Sequence, residues 1–125
     1  KPTHLAISVT TKTNYIPNQS EPDENRYVFS YTITISNNSD EAVKLLSRFW
    51  KITDANGDVS TVEGEGVVGQ TPTIKPSKSF TYTSGSMFKT PVGNMQGHYQ
   101  MQSASGELIL VEIPVFRLAI PNILN

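Results

Sequence analysis

Apolar and polar residues alternate with a period of two along most of the chain. Between Arg26 and Ser36, Tyr27, Phe29, Tyr31, Ile33 and Ile35 share one parity, and Val28, Ser30, Thr32, Thr34 and Ser36 share the other. Successive side chains of an extended strand point to opposite faces, so this run predicts a strand with one aromatic and aliphatic face and one mostly hydroxyl face. Leu5, Ile7 and Val9 alternate with Ala6, Ser8 and Thr10 in an earlier strand. From Ala42 to Thr53, Val43, Leu45 and Phe49 take one parity while Leu46, Trp50 and Ile52 take the other, which predicts a strand partly covered on both faces. Phe80 and Tyr82 alternate with Thr81 and Thr83, and Tyr99 and Met101 with His98, Gln100 and Gln102. The last long apolar runs are Glu107 to Ile113 and Val115 to Leu118.

Turn-forming residues punctuate these runs at short intervals. Asn37-Asn38-Ser39-Asp40 is read as one hairpin turn, and Asp54-Ala55-Asn56-Gly57-Asp58 as another, with Asn56-Gly57 suited to positive φ. Ser105-Gly106 separates the final pair. Asn18 to Asn25 is polar, acidic and holds Pro22, and is read as a mobile loop. No stretch carries a helical period with caps. Eight short strands with this punctuation predict an all-β fold, an antiparallel immunoglobulin- or fibronectin type III-like β-sandwich, over a single domain from 1 to 125; a closed barrel is the alternative.

Composition narrows the chemistry. At 125 residues, folding buries about two thirds of the extended chain's surface, so one core suffices without staples. Ten basic and eleven acidic residues leave a formal charge of −1, with no basic excess to attract nucleic acid or anionic lipid. Cysteine is absent and His4 and His98 are the only histidines, which excludes disulfides, thiolate sites and a Cys nucleophile and leaves no conventional zinc site. No apolar run reaches the length of a membrane-spanning helix, and Lys1-Pro2-Thr3-His4 offers no apolar signal region, so a cytoplasmic location is expected.

One region breaks the alternation. Six of the eight glycines fall between Gly64 and Gly97, and Gly64-Glu65-Gly66-Val67-Val68-Gly69 fits the spacing G-x-G-x-x-G. In dinucleotide-binding folds that motif opens a helix whose N-terminus holds the pyrophosphate. Here Pro72, Pro76 and the β-branched Val67, Val68, Thr71 and Thr73 oppose a helix, so that chemistry is excluded. A glycine-rich turn that offers backbone N–H groups of Gly64, Gly66 and Gly69 to an anion survives, with Arg48, Lys75 or Lys78 as a source of charge; bulges and tight packing are the alternative use of the same glycines. Glu63 and Glu65 lie two apart, where a shared solvent face is favoured over acid–base work or the binding of a hard cation. His98 reads as a surface histidine, and Ser84-Gly85-Ser86 lacks the context of a hydrolase elbow. Trp50, Phe49, Tyr82 and Phe88 read as core rather than a ligand pocket. No catalytic residues or cofactor are assigned.

An ordered series of blocks goes further than any of these motifs. Gly64 to Pro72, Phe80-Thr81-Tyr82-Thr83-Ser84-Gly85, Thr90-Pro91-Val92-Gly93-Asn94-Met95-Gln96-Gly97-His98-Tyr99 and Ile113-Pro114-Val115-Phe116-Arg117-Leu118 resemble the ApaG (CorD) family, as do Arg26 to Tyr31 and Leu45 to Ile52 upstream. The resemblance implies the same sandwich and no enzymatic activity. It implies a link to cobalt resistance and magnesium efflux, and a role in protein interaction. The pyrophosphate-binding proposal made for the family's glycine motif carries over to Gly64, Gly66 and Gly69. The expected partner is a protein, with a pyrophosphate or dinucleoside polyphosphate as the alternative; a monomer and a homodimer are both compatible.

Overall fold

The computed structural model describes residues 6–121. Eight strands follow in order: β1 (Ile7–Tyr15), β2 (Tyr27–Asn37), β3 (Val43–Asp54), β4 (Val59–Glu65), β5 (Thr73–Ile74), β6 (Ser79–Phe88), β7 (Val92–Ser103) and β8 (Leu108–Ala119). They build two antiparallel sheets, β1-β2-β6 and β4-β3-β7-β8, with the short β5 on the end of β3. The sheets face each other as a sandwich, as the alternation predicts; Leu5 lies outside the described residues. Among the described residues no helix is long and apolar enough to cross a membrane.

The core forms where the aromatic parity of β2 meets the opposite sheet. Tyr31 packs edge-on against Trp50 with centroids 5.5 Å apart, and Trp50 against Phe116 at 5.8 Å. Phe29 meets Phe88 edge-on at 5.8 Å. Tilted and edge-on aromatic pairs suit the ring quadrupole and add to the burial of large apolar surfaces. The other parity of β2 faces solvent and pairs hydroxyl to hydroxyl with β6: Thr32 with Thr83, Thr34 with Thr81 and Ser36 with Ser79, at 2.9 to 3.1 Å.

The structure differs from the sequence reading in four places. First, Asn37–Asp40 is not a hairpin turn, because β2 pairs β1 and β6 while β3 belongs to the other sheet. It is a corner between sheets, held by the fully buried Asn37 side chain. Its Nδ2 donates to the carbonyls of Glu41 and Ile74, and its Oδ1 accepts from the Ser39 N–H and hydroxyl. Second, β3 is partly covered on both faces, but Val43, Leu45 and Phe49 do not share one of them. A bulge at Leu46 shifts the register between Leu45 and Ser47, so the inward parity changes from Val43 and Leu45 to Arg48, Trp50 and Ile52, leaving Phe49 on the outer face. Third, the two final runs are one strand. A register shift opposite Met95 and Gly97 falls at Pro114 and Val115, and the buried parity passes from Ile109, Val111 and Ile113 to Phe116 and Leu118. Proline donates no ladder hydrogen bond, which suits it to this position. Fourth, Asn18–Asn25 is structured by 3₁₀ turns at Pro17–Gln19 and Pro22–Glu24, and the Ser20 hydroxyl joins Ile16 to Val28. The Asp54–Asp58 and Ser105–Gly106 hairpins stand as read.

Candidate functional site

Gly64 is the next-to-last residue of β4 to pair with β3, directly opposite Arg48. A Cβ on Gly64 would sit 2.8 Å from Arg48 Nη1, because the guanidinium lies across this glycine. Nη1 donates to the carbonyls of Glu65 (3.1 Å) and Gly66 (2.9 Å). Gly66 has φ 64°, and a Cβ there would strike the carbonyl of Gln70. Both conditions demand glycine. Val67 and Gln70 then exchange both backbone hydrogen bonds across a tight turn whose central residues, Val68 and Gly69, have φ 42° and 80°. Positive φ at both central positions is the type I′ pattern, and a β-branched residue such as Val68 bears strain there.

The three glycines thus shape a turn around an arginine. The Gly66 N–H donates to Leu46, the Val67 N–H to Gln70 and the Gln70 N–H to Val67, so those three donors are engaged within the protein. Of the three cations named from the sequence, Arg48 reaches the turn. Lys75 and Lys78 belong to the loop that hydrogen-bonds Asn37 at the sheet corner. Arg48, Tyr31, Trp50, Tyr82, Ser84 and Glu65 line a cleft of about 270 Å³ with the turn residues Val67, Val68 and Gly69. On its floor the Tyr82 and Tyr99 hydroxyls hydrogen-bond each other at 2.5 Å. Burial pushes both phenols well above the ordinary tyrosine range, and each other's charge would raise Tyr99 further. Neither is a base near neutral pH.

The cleft opens at the rim of the sandwich because the sheets differ in width. β6, the last strand of the small sheet, lies over β7: Tyr82 reaches Tyr99, and the Phe88 ring fills the space above Gly93. β4 projects beyond it. Val62 pairs with Trp50 and shares its inward parity, yet Val62 is 41% exposed and Trp50 is 3%. Past the cleft, Ile52, Val59, Ser60, Met87 and Lys89 line a second depression of about 210 Å³ between the same two strands. The inner face of β4 is therefore a shelf beside the free edge of β6.

Four strands end the two sheets, and they are not alike. β1 carries Lys12, β4 carries Glu63 and Glu65, and β8 carries Glu112, Arg117, Pro114 and a bulge. Charges, proline and bulges are the devices that stop an edge from pairing with another chain. β6, Ser-Phe-Thr-Tyr-Thr-Ser-Gly-Ser-Met-Phe, has none over ten residues, and its register with β2 is unbroken.

The remaining residues named from the sequence lie elsewhere. Glu63 and Glu65 pair with Phe49 and Ser47 on the outer parity of the large sheet, and Glu65, at the end of β4, also borders the cleft. On that face His98 stacks on Phe49 at 5.1 Å and 18°. Trp50, Tyr82 and Phe88 are core, and Phe49 is not. Among the described residues no three His, Asp or Glu side chains come together to hold a metal ion. The shelf along β4 escapes sequence reasoning, because alternation does not tell which strands oppose one another; the uncharged run Ser79–Phe88 is its one visible trace.

This arrangement has relatives. The family model for the ApaG domain matches residues 17–103. The chain belongs to the ApaG family. It is 56% identical over 119 residues to Protein ApaG of Photobacterium profundum, covering 95% of this chain and 94% of that one. It is 49% identical to Protein ApaG of Proteus mirabilis over 123 residues, 98% of each. An X-ray structure of a structural-genomics target superimposes with a TM-score of 0.94 at 51% identity, covering 98% of this chain and 93% of that one. A crystal structure described as an ApaA protein from Bordetella pertussis gives 0.91 at 40% identity, covering 94% and 95%. The ApaG domain therefore comes with this sandwich.

Proposed function

We propose that this ApaG-family chain is a non-enzymatic recognition module that takes an extended segment of a protein partner onto the free edge of β6. The observation that carries the reading is the contrast among edges: β6 alone of the four lacks charge, proline and bulge, and it runs beside the uncovered shelf of β4. Main-chain hydrogen bonds to an added strand give affinity, and pockets for alternate side chains give specificity. The cobalt and magnesium phenotypes are then effects of the partner, downstream of binding. The test is capture of partners from bacterial lysate by wild type, by Ser86→Lys, which puts an inward charge on β6, and by Leu110→Lys on the outer face of the large sheet. Leu110→Lys should retain the wild-type set and Ser86→Lys, with its fold verified by circular dichroism, should lose it. The reverse pattern would assign recognition to the outer face instead.

A second reading keeps the glycine turn as a pyrophosphate or dinucleoside polyphosphate site. Arg48 at the turn favours it, and the engaged N–H groups of Gly66, Val67 and Gln70 weigh against it. Titration with millimolar pyrophosphate should move the amide signals of Gly64, Gly66 and Gly69 if it holds; unmoved signals remove it.

A further inference from the structure

Three features of the rim bear on what the guest segment looks like. The first is the position of Arg48. Its guanidinium lies over Gly64 on the inner face of β4, which is where a strand added to β6 would project its inward side chains. The second is the state of its donors. Nη1 has two N–H groups and gives them to two neutral carbonyls; the other three donors of an arginine belong to Nε and Nη2. Glu65 also lines this cleft, but Nη1 is held by the two main-chain carbonyls, whose dipoles orient the fork without cancelling its charge. The third is the surroundings. Trp50, Tyr31 and Tyr82 wall the cleft, so a charge meeting Arg48 there is partly withdrawn from water, where attraction exceeds that of an exposed pair. Two residues along β4, Val62 offers an apolar contact on the same face.

We propose that the partner's segment carries an Asp or Glu whose carboxylate docks on Arg48, with an aliphatic residue two positions away resting on Val62. This rests on the reading of β6 as the acceptor edge and adds the chemical class of the guest. Alternate residues of a strand lie about 6.6 Å apart on one face, the spacing of neighbouring inward positions on β4. A carboxylate matches the planar guanidinium with two parallel hydrogen bonds. The glycine motif then has a purpose other than cradling phosphate: Gly64 gives the guanidinium room, and the turn bounded by Gly66 supplies the carbonyls that aim it. The guest is a lone strand rather than a second copy of this chain. An added strand would lie over the β3–β4 side of the large sheet, whereas the β6 of another copy arrives already backed by its own β7.

The test uses the whole chain and a random twelve-residue peptide display library. Selection should enrich segments with Asp or Glu two positions from Val, Ile or Leu. The best segment, made as a synthetic peptide, should shift the amide signals of β6, and its Glu→Gln (or Asp→Asn) form should bind on the order of tenfold more weakly. Moving the acidic residue one position at a time should give an affinity that alternates with a period of two. Arg48→Gln should abolish the difference between the acidic and amide peptides; the peptide-side comparison on wild type stands even if that variant folds poorly. Shifts along β6 with no preference for the acidic residue would overturn the carboxylate anchor and leave strand addition standing. No enrichment, or shifts confined to another edge or to the outer face, would overturn both. Self-association through β6 would overturn the choice of a lone strand.

Discussion

β8 and β6 both end a sheet, and they are built differently. β8 sends Ile109, Val111, Ile113, Phe116 and Leu118 into the core, each under one tenth exposed, and guards its outer side with Glu112, Pro114, Arg117 and a bulge. β6 sends in Tyr82 and Phe88, shows a row of hydroxyls to solvent, and guards nothing. An edge that invites pairing is a hazard that natural proteins suppress where it has no use. On the proposed reading, the difference assigns stability to β8 and recognition to β6.

That contrast can be broken most severely at β8. Leu118→Ala should cost about 3 kcal/mol by urea denaturation, as a fully buried leucine leaves a cavity. The fraction that remains folded should still capture partners; loss of capture by folded protein would put recognition at β8. The next largest effect lies in the turn beside β6. Gly66→Ala should cost about 2 kcal/mol or more, since the new methyl meets the Gln70 carbonyl at positive φ. Gly69→Ala, at positive φ but with open space around it, should cost about 1 kcal/mol. Equal costs would mean that the close approach at Gly66 is not what makes glycine necessary.

Under the cleft, Tyr82→Phe should cost about 1 to 2 kcal/mol by leaving the Tyr99 hydroxyl without its partner. Tyr82→Phe with Tyr99→Phe should cost less than the sum of the single changes. Both phenols are raised in the fold, so the native state holds their protons more tightly than the unfolded chain does. Their contribution is complete below the ordinary tyrosine value of about 10 and is lost as pH rises above it. The double variant should flatten the decline of stability above that pH. The smallest change belongs to the exposed ladder: Thr34→Val should shift stability by about 0.5 kcal/mol, the scale of one cross-strand hydroxyl pair.

Much of this was legible in the residues, and the misses have physical causes. The two-residue period of β2 and the Asn56-Gly57 turn carry their own geometry, so strand and hairpin follow directly. Asn37 looked like a turn former and is one, but local chemistry does not say whether the next strand pairs or crosses to the other sheet. Parity fails at Leu46 and Pro114, where one extra residue turns the strand over and moves Arg48 inward and Phe49 outward. The glycine spacing was visible and its partner was not, because Gly64 meets Arg48 only through the pairing of β3 with β4.

The edge to which a guest strand adds decides between β6 and every other surface of the molecule. The direct measurement is the pattern of intermolecular Hα–Hα and amide contacts, by nuclear magnetic resonance, between isotope-labelled protein and the unlabelled selected peptide. Cross-strand contacts running along Ser79–Phe88, with the acidic residue's side chain near Arg48, are the predicted result. Contacts to β1, β4, β8 or the Phe49–His98 face, with none along β6, would contradict it.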